Sequence, residues 1–177
     1  MARRIYDSSP ERHVDVGSRI DGLIGHLLTF REVEVVDIRR LESSVEGLHF
    51  VQSDATTLDA VPAGSVPSAS SVHALEHFGL GRYGDPIDPD GHVKALRALG
   101  NIVAPGGELY VGVPVGRPVV EFNAHRILDP RLVLDELRDF DLVAFAAVIG
   151  GRLNEDSAPA DVADLPYACG LYHLRRP

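Results

Sequence analysis

Two short apolar strands, roughly His13 to Val16 and Val33 to Ile38, flank Ile20, Leu23, Ile24, Leu27 and Leu28, which recur at helical spacing. A strand, a helix and a strand in close succession commit this part of the chain to a parallel pair with a covering helix. The strand ends narrow the reading further. The first strand stops at Asp15-Val16-Gly17-Ser18, and Asp37 ends the second, twenty residues beyond Gly17. Glycine at a strand end lets a backbone approach a ligand closely, and the helix that follows aims its free N–H groups at the same place. An acid at the end of the next strand is where a ribose would offer its two hydroxyls. Gly17, Ser18 and Asp37 therefore predict a site for a nucleoside-type ligand, the plainer alternative being that Asp37 caps a turn.

The remaining chain continues the alternation. Leu48 to Val51 reads as a third strand ending near Asp54, and the serine-rich Val66 to Val72 as a fourth. A glycine-rich loop from Phe78 to Gly91 precedes a helix marked by Val93, Leu96, Leu99 and Val103, which Pro105-Gly106-Gly107 ends. A strand from Leu109 to Val115, a helix from Leu132 to Phe140, a strand from Leu142 to Ile149, a polar loop and a last strand from Tyr167 to Leu174 follow. This order predicts an α/β fold, a mostly parallel twisted sheet with an antiparallel C-terminal edge strand, in one domain spanning 1–177. Residues 39–47 are short for a full crossover helix and read as a trimmed crossover.

Composition removes several function classes. Asp and Glu outnumber Lys and Arg by 26 to 17, for a net charge of −9, so a nucleic-acid partner is not expected. Lys94 is the only lysine, which disfavours imine chemistry. Cys169 is the only cysteine, which rules out an intrachain disulfide and a multi-cysteine zinc site. It lies among apolar neighbours without an evident activating partner and reads as an interior strand residue. No apolar run approaches the ~20 residues of a membrane helix, and the N-terminus lacks the apolar stretch of a signal peptide. A cytoplasmic protein acting on a small molecule is the expectation, with oligomeric state left open.

Asp15-Val-Gly17-Ser, Asp37, Asp54 and Ala104-Pro-Gly-Gly-Glu-Leu-Tyr-Val resemble the class I S-adenosylmethionine-dependent methyltransferases. More narrowly, Val14-Asp-Val-Gly-Ser-Arg-Ile-Asp-Gly22, Leu75-Glu-His-Phe-Gly-Leu-Gly-Arg-Tyr-Gly-Asp-Pro-Ile-Asp-Pro89 and Phe122-Asn-Ala-His-Arg126 resemble a methyltransferase-like family of unknown function. That family was first described from nematode sequences and is also bacterial, and the resemblance covers roughly residues 12–148. It implies a three-layer Rossmann-like sandwich, S-adenosylmethionine as cofactor, Asp15, Gly17 and Ser18 near its methionine part, Asp37 at its ribose and Asp54 at its adenine. Arg19 stands where the superfamily pattern has its next glycine, and would either block the cofactor or bind its carboxylate. Asp54 has a second reading as a helix N-cap.

Four further groups carry possible chemistry. Glu76 and His77 follow the fourth strand, where an open α/β sheet places its crevice, and are candidates for general-base work, a buried His–Glu hydrogen bond being the structural alternative. His125 is a second candidate base or a packing histidine. Arg82 and Tyr83, in the glycine-rich loop, and Asn123 and Arg126, after the fifth strand, are candidates for binding an anionic acceptor, while the loop itself reads either as a lid or as a self-packed surface loop. His73-Ala-Leu-Glu76-His77 also matches H-x-x-E-H, the spacing of a zinc hydrolase helix, with Glu121 or Glu136 as distant third ligands. The expected activity is methyl transfer to a small acceptor without a bound metal. A binding module that keeps the fold without catalysis is the alternative.

Overall fold

The computed structural model describes residues 1–177. Ten strands form around the predicted frame: β1 (Val14–Val16), β2 (Val33–Asp37), β3 (Leu48–Gln52), β4 (Val66–Val72), β5 (Val103–Val115), β6 (Val119–Glu121), β7 (His125–Ile127), β8 (Asp141–Ile149), β9 (Arg152–Asn154) and β10 (Ala168–Arg175). Eight of them make one sheet in the order β3-β2-β1-β4-β5-β10-β8-β9, and β6 and β7 pair as a separate hairpin. The five strands from β3 to β5 are parallel, while β10 runs antiparallel to both β5 and β8. The C-terminal strand is antiparallel as predicted, but it lies inside the sheet between β5 and β8, and the antiparallel β8–β9 hairpin forms the edge instead. The result is a Rossmann-like sheet, mostly parallel, with an antiparallel C-terminal part.

Pleating divides the core into two layers. Val33, Val35 and Tyr110 face Ile5 of helix α1 (Ala2–Ser8) and Ile24 and Leu27 beside helix α2 (Gly25–Leu27). Their neighbours Val36, Leu109 and Val111 face the other way, onto Leu96 and Leu99 of helix α3 (Gly91–Ile102) and Val133 of helix α4 (Leu132–Glu136). A short helix α5 (Pro159–Val162) closes the polar segment before β10.

Several boundaries differ from the sequence reading. The helix after β1 is a single π-helical turn, Ile20–Ile24, running into α2, because Gly22 breaks it at φ −103° and ψ −120°. Residues 39–47 contain no helix, so β2 and β3 are joined by a bare loop. The β5 strand starts at Val103 rather than Leu109, since the Pro105-Gly106-Gly107 turn lies within its extended run. Helix α1, the β6–β7 hairpin, β9 and α5 were not predicted. Val119 and Val120, both exposed on β6, lack the alternation that marks a half-buried strand.

The strand order reverses between β1 and β4. The chain winds outward through β2 and β3 on one side, then crosses to β4 and β5 on the other. The carboxyl ends of the strands flanking such a switch diverge and leave a crevice.

Candidate functional site

A cavity of about 420 Å³ opens there. Gly17, Asp37 and Asp54 line one part of it, the turn from His73 to Phe78 another, and Arg82, Tyr83 and Asp85 the glycine-rich loop side, with Pro114, His125 and Tyr167 completing it. Gly17 adopts φ +75°, and a Cβ there would stand 2.9 Å from the Phe78 ring. Glycine is therefore required both for the backbone angle and for the space.

The Asp37 carboxylate is only 14 % exposed and is held by Arg39. The Arg39 backbone N–H (2.8 Å) and Nε (3.0 Å) donate to Oδ1, and its terminal nitrogen donates to Oδ2 at 2.6 Å. This pairing raises the Arg39 pKa above its ordinary range. The same guanidinium lies 4.5 Å from the centre of the Tyr83 ring. Asp54 caps the next turn, its Oδ1 accepting from Thr56 N at 2.8 Å and Thr56 Oγ1 at 2.7 Å, and the residue also lines the cavity. Arg19 stands at the rim with its side chain 82 % exposed, paired to Asp21 at 2.7 Å. It does not plug the hollow.

Asp15 and Ser18 are corrections. Neither lines this cavity. Asp15 is completely buried, accepting from Ser18 N (3.1 Å), Ser18 Oγ (2.8 Å) and Ser70 Oγ, while Ser18 Oγ accepts from Val72 N at 2.8 Å. Both residues tie the end of β1 to β4. Burial raises the Asp15 pKa to about 6 against these hydrogen bonds. His13 continues the chain inward, its Nε2 3.0 Å from Ser70 Oγ and Nδ1 2.8 Å from Ser68 Oγ, and burial lowers its pKa to about 3.

Glu76, His77 and His125 come together on the cavity wall, and His73 joins them there. Glu76 is 2 % exposed, and its Oε1 lies 3.8 Å from His77 Nε2 and 3.1 Å from His73 Nδ1. Its Oε2 is buried without a partner. His77 donates from Nδ1 to the Ala124 carbonyl at 2.7 Å, which leaves Nε2 as the proton-accepting nitrogen when the ring is neutral. His125 lines the same cavity from the start of β7. Two residues were missed as site members. His73 Nε2 lies 3.2 Å from Cys169 Sγ, and the hydrogen bonds of its ring to Cys169 first and then to Glu76 raise the His73 pKa to about 10. The interior-strand reading of Cys169 holds, and its sulfur has a histidine partner 96 residues away.

The zinc-helix reading of H-x-x-E-H does not survive. His73 adopts φ +53°, and only a 3₁₀ turn, Leu75–His77, follows. The two histidines therefore reach one oxygen of Glu76 through different nitrogens instead of projecting together from a helix. Glu136 is paired to Arg97 at 2.6 Å, and Glu121 is exposed on the hairpin.

Arg126 is the clearest correction on the acceptor side. Its guanidinium is buried and donates to the carbonyls of Phe78 (2.7 Å), Pro89 (3.3 Å) and Glu76 (3.4 Å). It pins the base of the glycine-rich loop and has no free face for an anion. Asp85 packs the loop from within, accepting from the backbone N–H of Gly79 (2.7 Å), Tyr83 (3.1 Å) and Gly81 (3.3 Å). Asn123 is likewise absent from the cavity; it is exposed and offers its carbonyl to Arg82 at 3.2 Å. Arg82 and Tyr83 do face the cavity, so the loop is both self-packed and a cover.

The family described as Caenorhabditis protein of unknown function, DUF268, matches residues 30–147. Among solved structures, the Burkholderia thailandensis 1,6-didemethyltoxoflavin-N1-methyltransferase, with its bound 1,6-didemethyltoxoflavin and S-adenosylhomocysteine, superposes with a TM-score of 0.67 at 16% identity, over 99% of this chain and 76% of that one. The N-methyltransferase NodS from Bradyrhizobium japonicum WM9, in complex with S-adenosylhomocysteine, gives 0.63 at 14% identity, over 99% and 84%. The [4+2]-cyclase SpnF gives 0.66 at 14% identity, over 94% and 75%. At these identities the likeness is one of fold. No curated protein matches the chain.

Proposed function

The chain belongs to the DUF268 family and carries the methyltransferase fold, and from that premise we propose that it binds S-adenosylmethionine in the cavity at the β1/β4 switch and methylates a small molecule. One observation carries the reading. The Asp37 carboxylate, beside the Gly17 turn, takes two parallel donors from the Arg39 fork, the same demand that the paired hydroxyls of a ribose would meet. The residues present fit the group. Asp37 would hold the ribose, Asp54 would accept from the adenine amino group, and Gly17 would leave room beside the first turn. When bound, this cofactor supplies a methyl group made electrophilic by its sulfonium.

The chain's own residues would align the acceptor and manage its proton. His77 Nε2 is placed to take a proton from an acceptor O–H or N–H, because Nδ1–H is committed to Ala124 and Glu76 lies beside the ring. His125 is the alternative base on the cavity wall. Arg82 is the cavity arginine left for an anionic part of the acceptor, since Arg126 is consumed by backbone carbonyls and Arg39 by Asp37. Tyr83 would cover the site.

Titration with S-adenosylhomocysteine by calorimetry tests the binding step. Micromolar affinity is expected, weakened at least tenfold by Asp37→Ala, because hydrogen bonds to a charged group contribute ~1.5–3 kcal/mol each. No heat at millimolar ligand removes the proposal. A binding module without transfer is the second reading, favoured by Arg39 closing over Asp37. Incubation of S-adenosylmethionine with protein and a small-molecule extract separates the two: S-adenosylhomocysteine in the products means transfer, and unchanged cofactor means binding alone.

A further inference from the structure

The β6–β7 hairpin joins two unlike strands. On β7, Arg126 and Ile127 are buried, whereas all three residues of β6 are exposed, which makes β6 the outer strand. Val119 is 45 % exposed, Val120 60 % and Phe122, just beyond the strand, 70 %. Three apolar side chains laid open within four residues mark a surface that meets another molecule. The backbone is open as well. The Glu121 carbonyl turns toward the inside of the hairpin, where it accepts from Ala124 N–H. Successive peptide groups along a strand point to opposite edges, so the N–H and C=O of Val120 point away from β7. An edge of this kind is a template for a further strand.

The charges on this segment point to what pairs there. Arg117 and Glu121 are both exposed, and neither forms an ion pair within the chain. One stands two residues before Val119 and the other two residues after it. A second copy of β6, antiparallel about a two-fold axis at Val119, brings each Arg117 level with the other copy's Glu121. Val119 then meets its own counterpart, and Val120 N–H meets the Pro118 carbonyl of the other copy, twice by symmetry. Pro118 has no N–H, and this register asks only for its carbonyl. A parallel copy would set like charges together, and an antiparallel copy moved along by one residue would leave them unmatched. The net charge of −9 opposes association of copies in general, so a local match of opposite charges is the feature that selects this strand.

We propose that β6 is a self-complementary docking strand through which two copies of this chain form a two-fold dimer, held by two Arg117–Glu121 pairs and by the apolar side chains between and beside them. The inference does not depend on the adenosyl reading, but it bears on the same cavity. The turn of the hairpin gives its Asn123 carbonyl to Arg82 and its Ala124 carbonyl to His77 Nδ1, and both of those residues line the cavity. A copy docked on β6 therefore braces part of the cavity wall from outside. A strand this short lies at the low end of interface sizes, below ~1,200 Å², so the dimer is a weak one.

Sedimentation equilibrium of the whole chain tests the dimer. Over roughly 10–500 µM protein the mass is expected to rise from the 19.1 kDa of one copy toward twice that, with a dissociation constant of ~100 µM. Arg117→Glu and Glu121→Arg each set like charges opposite one another and are expected to weaken the dimer about tenfold. The double variant restores opposite charges and is expected to return to within about threefold of wild type. A mass that stays at one copy throughout leaves the strand to an unlike partner and overturns the proposal. A dimer that ignores the single reversals, or that the double variant does not restore, uses another surface and overturns it too. Amide hydrogen exchange gives a reading that needs no variant. The Val120 N–H is expected to exchange about threefold more slowly at about 500 µM protein than at about 10 µM, and equal rates overturn the proposed pairing.

Discussion

Two histidine–carboxylate chains lie a few residues apart in this fold and behave oppositely. Beneath the first loop, His13, Ser70 and Asp15 form a line sealed from water, and at the cavity Cys169, His73 and Glu76 form another that is partly open. Burial drives the His13 pKa down to about 3, whereas His73 is raised to about 10. The partners account for the difference. Serine hydroxyls serve a neutral imidazole, so desolvation decides at His13, while a sulfur and a carboxylate favour the charged ring at His73 despite its partial burial. The sealed chain is structural: it ties β1 to β4. Only the open one is within reach of a substrate.

The sharpest way to break this comparison is to remove the carboxylate from the sealed chain. Burial raises Asp15 to about 6, so its contribution to stability is present in acid, below 3.8, and lost as pH rises through 6. His13, lowered to about 3, has the reverse sign: its contribution is present above 6.5 and lost as pH falls toward 3. Near pH 5 unfolding therefore releases a proton at one group and takes one up at the other, and the two slopes cancel. In Asp15→Asn only the His13 slope remains. Urea unfolding at a series of pH values should show the variant gaining about 1.4 kcal/mol per pH unit relative to wild type between pH 4 and 6, roughly 3 kcal/mol in all. A constant difference between the two proteins would mean that the buried pair does not exchange protons on unfolding.

Which of these two chains faces the cavity was not legible in the sequence. Asp15 looked like a ligand residue because of its place before Gly17, but Ser18 and Ser70 consume it, and the pairing with Ser70 depends on β4 lying beside β1. His73 reads only through the H-x-x-E-H spacing and Cys169 only as an interior strand residue, and nothing in the sequence pairs them. They meet only because β10, the last strand, enters beside β5 and brings its second residue level with Pro114. Arg126 read as a cation for an anionic acceptor because it follows the fifth strand at the crevice edge. It is buried because two carbonyls of the glycine-rich loop, Phe78 and Pro89, and that of Glu76 in the turn before it converge on its guanidinium. What the sequence did carry was local: the strand ends at Gly17 and Asp37, the turn holding Glu76 and His77, and the cover formed by Arg82 and Tyr83, all of which line one cavity. Contacts within a single βαβ unit leave a pattern in sequence, whereas pairings set by strand order do not.

A smaller effect is expected from the open chain. His73 is raised to about 10, so its contribution to stability is full below 6.5 and lost as pH rises through 10. With the side chain 43 % exposed, solvent screening reduces that contribution to ~1 kcal/mol. His73→Gln should therefore unfold about 1 kcal/mol more easily than wild type at pH 6, and the gap should narrow above pH 10. A gap that widens there would mean the ring is folded in its neutral form, like His13, and the contrast between the two chains would vanish.

The smallest effect concerns Asp37, the carboxylate of the open side that corresponds to Asp15 on the sealed one. Asp15 is held by backbone and hydroxyl groups that cannot leave, whereas Asp37 is held by an arginine side chain that is 52 % exposed and can. An exposed ion pair is worth ~0.5–1 kcal/mol. If Arg39 occupies the place of a ribose, a ligand must displace it, and Arg39→Ala should tighten binding of S-adenosylhomocysteine two- to fivefold by calorimetry. The sign is the informative part. Weaker binding in Arg39→Ala would mean that the guanidinium swings onto the ligand instead of merely yielding to it. Asp37 would then be a latch for Arg39, and the cation stacked on Tyr83 would belong to the binding surface.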